Sequence, residues 1–363
     1  MAPRLFTPLT VRGLEVPGRA WVAPMCQYSC RPGEPGFVTD WHLAHLTSFA
    51  IGGAPLILTE AAAVTEVGRI SPWDAGIWQD QQVGAWERVV SLVHRTGSLI
   101  GVQLGHAGRK ASTYAPFHER SGSVPVAEGG WQSVGPGTAP FGSYADPREL
   151  DLAELSSTVA AFGAAARRAV TAGFDAVEIH AAHGYLLAQF LSPLVNRRSD
   201  EYGGDLAGRA RLLLEVVDAV RASVPDRMPV LLRLSATDWG SGQVADDLER
   251  TVQVSRWAVE RGVDLIDVSS GGNVPRPEIP IGPGYQTGFA EQVRRAVEVP
   301  VSAVGMITRP DQAEQVLAEG QADVVMMARA LLADPHWWHR AAETLGHPLP
   351  WVGPYARAAP LLD

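Results

Sequence analysis

Two histidines and a tyrosine stand close together in the segment His180-Ala-Ala-His183-Gly-Tyr185 and could act on one substrate. Imidazole N–H groups can donate hydrogen bonds to a carbonyl oxygen and stabilise the negative charge that develops there. A nearby tyrosine hydroxyl can supply a proton. The three side chains therefore suit a reaction that forms an enolate. Two alternatives stay open: a metal site, which needs at least one more ligand, and histidines that only hydrogen-bond the backbone.

A second group of residues points to a phosphate-bearing ligand. Gly305 follows the apolar run Val301–Val304, and Ala328 and Arg329 follow the run Val324–Met327. Glycine has no Cβ, so backbone N–H groups beside it can approach a ligand closely. A guanidinium can add charge-assisted hydrogen bonds to phosphate. Taken alone, a turn glycine and an arginine in a surface ion pair are equally acceptable, but the matching position of both after strands favours phosphate.

Two polar residues interrupt otherwise apolar runs. Arg233 lies within Val230–Leu234, and Gln103 lies within Leu99–Leu104. A buried arginine is costly unless it is paired, so Arg233 predicts either an anionic ligand or an ion pair with a barrel carboxylate such as Glu60. The amide of Gln103 suits the edge of a heterocycle, although a structural amide is the alternative.

Eight short apolar runs must position these residues, and helical segments lie between them. Most of the runs are apolar on both faces, a pattern typical of parallel strands covered by helices. The order predicts the α/β class and a single (β/α)8 TIM barrel. An open doubly wound sheet is the competitor, but no G-x-G-x-x-G loop follows the first strand. The predicted strands are Trp21–Met25, Leu56–Glu60, Leu99–Leu104, Asp175–His180, Val230–Leu234, Leu265–Ser269, Val301–Val304 and Val324–Met327.

Helix signals occupy the segments between the strands. Asp40 can cap Trp41–Ile51, and Asp151 and Glu154 have capping-box spacing before an alanine-rich helix that ends near Gly173. In such barrels the active site lies at the carboxyl ends of the strands, which is where the candidate residues fall. Further helices are predicted after Asp205 and over Asp246–Arg261 and Thr308–Glu319.

Two segments lie outside the regular pattern. Residues 107–150 are rich in Gly, Pro and Ser and follow the third strand, so this excursion is predicted to lie over the barrel mouth. The last residues carry Trp337, Trp338 and Trp351 and predict a short helix and an extended arm. We therefore predict one barrel domain over residues 1–335 and a C-terminal arm over residues 336–363.

Composition excludes several classes of function. The net charge of -9, with no basic stripe, argues against nucleic-acid binding. Cys26 and Cys30 are too few for a disulfide framework or a four-thiolate cluster, and we predict no metal site. The single lysine, Lys110, removes most options for Schiff-base chemistry. No signal core and no apolar run of membrane-spanning length is found, which predicts a cytoplasmic protein with no membrane partner.

Five motifs are spread over nearly the whole chain. They are Leu5-Phe-Thr-Pro8, Ala23-Pro-Met-Cys-Gln-Tyr28, Gln103-Leu-Gly-His-Ala-Gly-Arg-Lys110, His180-Ala-Ala-His-Gly-Tyr185 and Asn196-Arg-Arg-Ser-Asp-Glu-Tyr-Gly-Gly204. Together and in this order, they resemble the old yellow enzyme family of FMN-dependent ene-reductases. Cys26 stands where another branch of the family carries a threonine, so the chain is most similar to the thermophilic-like subgroup.

For the cofactor, the resemblance implies FMN, reduced by NADPH. Arg233 would lie near the flavin N1 and C2 carbonyl, where negative charge accumulates on reduction, and Gln103 would hydrogen-bond the pyrimidine edge. Cys26 would lie near the reactive end of the ring and tune its potential, while the loops after the last two strands would hold the phosphate. The implied FMN contacts are Ala23, Pro24, Met25, Cys26, Ala61, Gln103, Arg233, Gly305, Ala328 and Arg329.

For the substrate, the resemblance implies an α,β-unsaturated aldehyde or ketone. His180 and His183 would bind its carbonyl oxygen, with Tyr28 nearby. Hydride would pass from FMN N5 to the β-carbon while Tyr185 protonates the α-carbon. The segment Tyr355-Ala-Arg357 matches a C-terminal motif of the subgroup, in which the arginine reaches the site of a neighbouring subunit; this implies a homodimer or homotetramer.

Three other functions remain as alternatives. A dienoyl-CoA reductase branch needs an iron–sulfur cluster, which two cysteines cannot hold. A barrel glycosidase could use Glu60 and Asp238 as its carboxylate pair, but a neutral sugar needs no phosphate-shaped, arginine-rich mouth. A flavin store without catalytic activity would have no use for the His–His–Tyr group.

Overall fold

A closed barrel of eight parallel strands lies at the centre of this computed structural model, which describes residues 2–240 and 244–361. Each strand pairs with the next along the chain, and the last pairs with the first, so that Val325 lies opposite Ala20 and Met327 opposite Val22. Strands β1–β8 are Ala20–Val22, Leu56–Ala63, Leu99–Gly105, Ala176–Ala181, Val230–Ser235, Leu265–Ser269, Val301–Ala303 and Val324–Met327. The predicted (β/α)8 barrel is confirmed, and the open sheet is wrong.

Helices surround the barrel. Helix α3, Leu152–Ala172, begins after Asp151, whose side chain accepts from the N–H of Glu154, and ends at the left-handed Gly173, as predicted. The first helix is capped by Thr39 rather than Asp40, because the extended backbone of Thr39 brings its hydroxyl to the N–H of Trp41. Helices α1–α10 of the described residues are Asp40–Ile51, Val83–Arg95, Leu152–Ala172, Leu186–Leu191, Leu206–Arg221, Val244–Glu260, Thr287–Arg294, Pro310–Ala318, Arg329–Ala333 and Trp337–Thr344.

Strand β1 is shorter than predicted. It ends at Val22, and the N–H of Ala23 makes one more ladder-like bond to the carbonyl of Met327 (2.8 Å). Proline has no N–H with which to continue a ladder, so the chain leaves the barrel at Pro24. The segment from Pro24 to Tyr28 is therefore a loop at the carboxyl end of the barrel.

Side chains inside the barrel form layers, because successive residues of a strand point to opposite faces. The lowest layer is apolar and includes Trp21, Leu231 and Leu265, and the N-terminal hairpin of Leu9–Val11 and Leu14–Val16 packs against it. One step towards the carboxyl ends, each of the five strands β3–β7 carries a polar residue. This polar belt consists of Gln103, Glu178, Arg233, Asp267 and Ser302, all buried.

The excursion of residues 107–150 reaches the carboxyl ends of the strands. Its Lys110 Nζ donates to the carbonyl oxygens of His183 (2.8 Å) and Gly272 (3.2 Å). It contains short 3-10 turns and a pairing of Val134–Gly135 with Arg148–Glu149. These contacts agree with a segment that covers the barrel mouth.

The C-terminal residues belong partly to the core. Trp337 and Trp338 of α10 are buried in the cluster shared by barrel and helices, and Trp338 Nε1 donates to the carbonyl of Ala20 (2.8 Å). After α10 the chain forms a 3-10 helix, Gly353–Leu361, rather than an extended arm. The division into a domain ending at residue 335 and an arm therefore stays a prediction. Among the described residues no helix is long and apolar enough to cross a membrane.

Candidate active site

A cavity of about 470 Å³ opens at the carboxyl ends of the later strands. Its lining includes His183 and Arg233 together with Gly305, Ala328 and Arg329. Side chains from distant parts of the chain thus meet at one rim, as expected for a barrel active site. The residues predicted for a phosphate share this cavity with Arg233, predicted for a planar ring, and His183, predicted for a carbonyl, whereas His180 and Tyr185 line a separate small pocket.

The loops after β7 and β8 fit a phosphate group. Gly305 is buried with φ +130°, and a Cβ at this position would lie 2.9 Å from Gln286 Nε2. Gln286 is itself fixed, because its amide donates to the carbonyl of Val304 (3.0 Å). Arg329 lies at the start of α9 beside this turn and is exposed. A close-approach glycine next to a guanidinium is a donor set that suits phosphate oxygens.

Arg233 is paired with Asp267 and not with Glu60. Its Nε lies 2.9 Å from Asp267 Oδ2, and the Asp267 carboxylate also accepts from the hydroxyl of Ser302 (2.6 Å). Glu60 Oε1 instead lies 3.1 Å from His42 Nε2. The guanidinium of Arg233 also lines the cavity, so the buried pair and a ligand share this arginine.

The rings of His180, His183 and Tyr185 form one group. The centroid of His180 is 5.1 Å from that of His183 and 5.2 Å from that of Tyr185. Burial, and then the charge of Arg233, lower the pKa of both histidines well below its usual value. Burial also raises the pKa of Tyr185. The site therefore holds two neutral imidazoles and a protonated phenol, all of which can donate hydrogen bonds.

Each imidazole has one nitrogen fixed by a neighbour. His183 Nε2 lies 2.7 Å from Ser269 Oγ, and His180 Nδ1 accepts from the N–H of Ala182 (3.4 Å). The other nitrogen of each ring is left for a ligand. The described residues contain no cluster of three or more metal-ligating side chains, so nothing in this geometry supports the metal alternative.

The turn that carries His183 has an unusual backbone. His183 has φ +56°, and a Cβ on the following Gly184 would lie 2.1 Å from the carbonyl oxygen of Gly272. Lys110 bridges the two carbonyls at this close approach, and burial lowers the pKa of its amine to about 8. The N–H of His183 donates to Ser235 Oγ (2.9 Å). Sequence reasoning assigned no role to Lys110, although it ends one of the motifs, or to Ser269, which ends a predicted strand.

The loop after β1 and the excursion build a second wall of the mouth. Cys26, Tyr28 and Tyr185 pack against a small apolar cluster of the excursion and the loop after β2. Burial raises the pKa of Cys26 well above its ordinary value, so the thiol stays protonated. Ala61 faces His180 and Tyr185 in a small pocket of about 10 Å³. Before Cys26, the chain runs through the buried Ala23 and the half-buried Pro24 and Met25.

Gln103 lies deeper, in the polar belt. Its Nε2 donates to Glu178 Oε2 (2.7 Å), and both residues are buried. One end of this amide is thus occupied by a structural partner. Glu178 stands two residues before His180 on β4, a position that sequence reasoning did not single out.

The carboxylate pair of the glycosidase alternative does not face a common cavity. Asp238 accepts from Ser192 Oγ (2.6 Å) and lines a pocket of about 50 Å³ that does not include Glu60. Glu60 accepts from the N–H of Gln27 (3.2 Å) and contacts His42. A pair in separate surroundings cannot act on one glycosidic bond.

Arg357 does not line the cavity of its own chain. It is exposed on the 3-10 segment Gly353–Leu361. Its predicted role in the site of a neighbouring subunit stays a prediction.

The family model of the FMN-dependent NADH:flavin oxidoreductase / NADH oxidase family matches residues 4–347. The chain belongs to this family. It is 44% identical to the NADPH dehydrogenase of Geobacillus sp. (strain WCH70), over 95% of this chain and 96% of that one. These findings establish an FMN-dependent NAD(P)H oxidoreductase.

Solved structures support the same family. Morphinone reductase, in complex with tetrahydroNAD, has a TM-score of 0.76 and 29% identity, with coverage of 96% of this chain and 93% of that one. The old yellow enzyme homologue from Zymomonas mobilis has a TM-score of 0.77 and 26% identity, with coverage of 94% and 93%. The resemblance to old yellow enzymes is thus confirmed for this NADH:flavin oxidoreductase, with FMN as cofactor and a reduced nicotinamide as reductant.

Proposed function

We propose that the protein is an NADPH-dependent ene-reductase that reduces the C=C bond of α,β-unsaturated aldehydes and ketones. The observation that carries the proposal is the meeting of neutral His180 and His183 and protonated Tyr185 beside the cavity with the phosphate-type loops. When bound, FMN takes hydride from the nicotinamide and supplies it from N5 to the β-carbon of the substrate.

The 470 Å³ cavity would hold FMN. Arg329 and the backbone beside Gly305 and Ala328 would bind its phosphate. Arg233 would stabilise the negative charge of the reduced ring, since an opposite charge favours an ionised form. The remaining ring contacts are Ala23, Pro24, Met25, Cys26, Ala61 and Gln103.

His180 and His183 bind the substrate carbonyl oxygen. His180 accepts at Nδ1, so its proton is on Nε2. For His183 we assign the hydroxyl proton of Ser269 to the contact with Nε2, which leaves the ring proton on Nδ1 as a donor. Both rings then donate to an oxygen that gains negative charge, which is the condition for oxyanion stabilisation. Tyr28 lies in the adjoining wall.

Tyr185 delivers the proton to the α-carbon. Burial keeps its hydroxyl protonated, and the ring of His180 lies 5.2 Å away, so carbonyl binding and proton delivery take place on one substrate. Lys110 Nζ lies 4.9 Å from the Tyr185 ring and is tied to the His183 carbonyl. The lysine thereby fixes the phenol relative to the imidazoles.

The function is tested with the purified holoprotein and 2-cyclohexenone. We expect a yellow protein whose flavin spectrum shows a charge-transfer band with phenols. We also expect NADPH oxidation without oxygen that depends on the enone and yields the saturated ketone. Cyclohexanone, which lacks the C=C bond, is the control substrate. A flavin-loaded protein that leaves a panel of enones unreduced would contradict the proposal, as would a colourless one that cannot bind FMN.

The phosphate assignment predicts that Arg329→Met weakens FMN binding. Loss of a charge-assisted hydrogen bond costs about 1.5–3 kcal/mol, so the Kd of FMN should rise by about tenfold or more. Fluorescence titration of the apoprotein with FMN measures this change. Arg309→Met is the matched control, because Arg309 pairs with Asp311 on the surface and does not line the cavity. Equal FMN affinity of Arg329→Met and wild type would refute the assignment.

We also propose a homo-oligomer, dimer or tetramer, in which Arg357 reaches a neighbouring site. The exposure of Arg357 on a C-terminal segment supports this. Arg357→Ala should raise the KM for enones without changing the mass measured by sedimentation. A monomer in solution, or an unchanged KM, would speak against it.

A cytoplasmic location is part of the proposal, and it is supported by the free thiols of Cys26 and Cys30.

A further inference from the structure

Glu178 is a buried acid that the proposed chemistry leaves unused. It lies in the polar belt on β4, two residues before His180, and its exposure is 0%. Its Oε2 accepts from Gln103 Nε2 at 2.7 Å. Its Oε1 is buried without a hydrogen-bond partner among the described residues. A carboxyl group placed in this way is costly when ionised.

The charges of the belt do not cancel if Glu178 is ionised. Arg233 on β5 forms an ion pair with Asp267 on β6, in which Nε lies 2.9 Å from Oδ2. Asp267 is held further by the Ser302 hydroxyl on β7. An ionised Glu178 would add a second negative charge to one positive charge. A proton on Glu178 makes the whole belt neutral.

The surroundings of Glu178 act on its proton in opposite directions. Burial, and then the charge of Asp267, raise its pKa, while Arg233 and the hydrogen bond from Gln103 lower it, and the result is about 8. On its own strand, the next inward side chain is His180, which is neutral. The layer below includes the apolar side chains of Ala176, Leu231 and Met326.

We propose that an ionised Glu178 takes up a proton when the bound flavin is reduced and releases it when the flavin is reoxidised. The proposal rests on the proposed function in one respect, that the ring lies next to Arg233. Reduction brings two electrons and one proton to the ring and leaves it with one negative charge. A second proton, from solvent, converts the Glu178 carboxylate to the carboxylic acid. Reoxidation returns that proton to solvent as the hydride leaves for the substrate.

The physical reason is charge balance in a region of low dielectric. A new negative charge next to Arg233 cannot use the full charge of the guanidinium, because Asp267 already offsets it. A like charge close by favours the neutral form of a carboxyl group. Glu178 lies in the same buried belt as Arg233 and is bonded there to Gln103, so reduction raises the pKa of Glu178 further.

The effect depends on pH in a defined direction. Below its pKa of about 8, Glu178 already holds a proton in the oxidised enzyme, so reduction takes up one proton for two electrons. Above that pH, Glu178 is ionised in the oxidised enzyme and protonated in the reduced one, so reduction takes up two. A plot of the flavin midpoint potential against pH should therefore bend at the pKa of Glu178 in the oxidised enzyme. Above this bend the slope should be steeper, up to the pKa of Glu178 in the reduced enzyme.

The test measures this slope on the holoenzyme between about pH 6 and about pH 10, with dithionite and a reference dye. In wild type the slope should correspond to one proton for two electrons on the acid side of the bend and to nearly two protons on the alkaline side. Glu178→Gln keeps the side-chain volume and one oxygen that can accept from Gln103. Its slope should correspond to one proton for two electrons at every pH. Asp238→Asn removes a different buried carboxyl group, held by Ser192 outside the belt, and should keep the wild-type bend.

Infrared difference spectra of wild type, reduced minus oxidised, give a second readout if Glu178→Gln does not fold. On the alkaline side of the bend they should show a new protonated-carboxyl band. Absence of that band, a single slope in wild type, or a bend that persists in Glu178→Gln would overturn the proposal. These readouts need no enone. A protein with the expected bend but no enone turnover would sink the proposed function alone, and normal turnover without the bend would sink only the role of Glu178.

Discussion

Replacing both His180 and His183 by alanine is expected to lower kcat/KM for an enone by at least about 10³-fold. Removal of one preorganised oxyanion donor typically costs about 10²–10³ in rate, and donors that act on the same oxygen are not additive. Both rings are neutral because burial and Arg233 lower their pKa. Each therefore contributes one N–H, and the double variant leaves the carbonyl oxygen without either donor.

Loss of the histidine pair should exceed the loss caused by Tyr185→Phe, for which we expect about 10²-fold, because a proton can also reach the α-carbon from water. His118→Ala is the control for the histidine change, since His118 is exposed on the excursion and stacks on Tyr114. Steady-state rates with 2-cyclohexenone, on samples with equal bound FMN, decide the comparison. A double variant within tenfold of wild type would mean that other groups bind the carbonyl.

Much of this site could be predicted because a barrel gathers strand ends. Once eight alternating strands are recognised, residues just after them must share one rim. Gly305 and Arg329, far from Arg233 in sequence, therefore fall into one cavity with it. The family motifs added residue roles, which the geometry alone does not assign.

The predicted ion pair of Arg233 with a barrel carboxylate is present, but the carboxylate is Asp267 rather than Glu60 because of the order of the strands. In a barrel whose strands follow chain order, β5 is hydrogen-bonded only to β4 and β6. Asp267 lies opposite Arg233 in the β5–β6 register, whereas Glu60 is on β2. Local sequence patterns indicate which residues are buried and whether they lie on a helix or a strand. Which side chains pair across strands depends on the register, which is set by the closed sheet. Ser269 was missed in the same way, because its contact with His183 also crosses strands.

Other features depend on backbone details that composition does not reveal. At the left-handed His183 and the close approach of Gly184 to Gly272, Lys110 donates to the carbonyls of His183 and Gly272. In sequence, Lys110 is only the single lysine of the chain. The position of Arg357 relative to a second subunit is likewise a matter of assembly, beyond any one chain.

Arg233→Met is expected to destabilise the protein by about 3–5 kcal/mol, the cost of breaking a buried ion pair by removing one partner. Asp267 has 0% exposure and would keep only the Ser302 hydroxyl as a partner. Replacing both members, Arg233→Met with Asp267→Asn, should recover much of the loss, because no buried charge remains. Urea unfolding of the apoproteins measures the differences without the contribution of bound FMN.

The matched control is Arg261→Met, which removes an arginine from a pair with Asp218 whose side chains are 43% and 49% exposed. Such a pair contributes about 0–1 kcal/mol, so this variant should unfold close to wild type. In the holoprotein the double variant has lost the positive charge that lines the cavity, while the negative charge lost with it, that of Asp267, does not line the cavity. Its flavin midpoint potential should therefore fall although its stability has returned. A double variant no more stable than Arg233→Met would show that Asp267 is not the group left uncompensated. Recovery of stability with an unchanged potential would place the flavin ring away from Arg233.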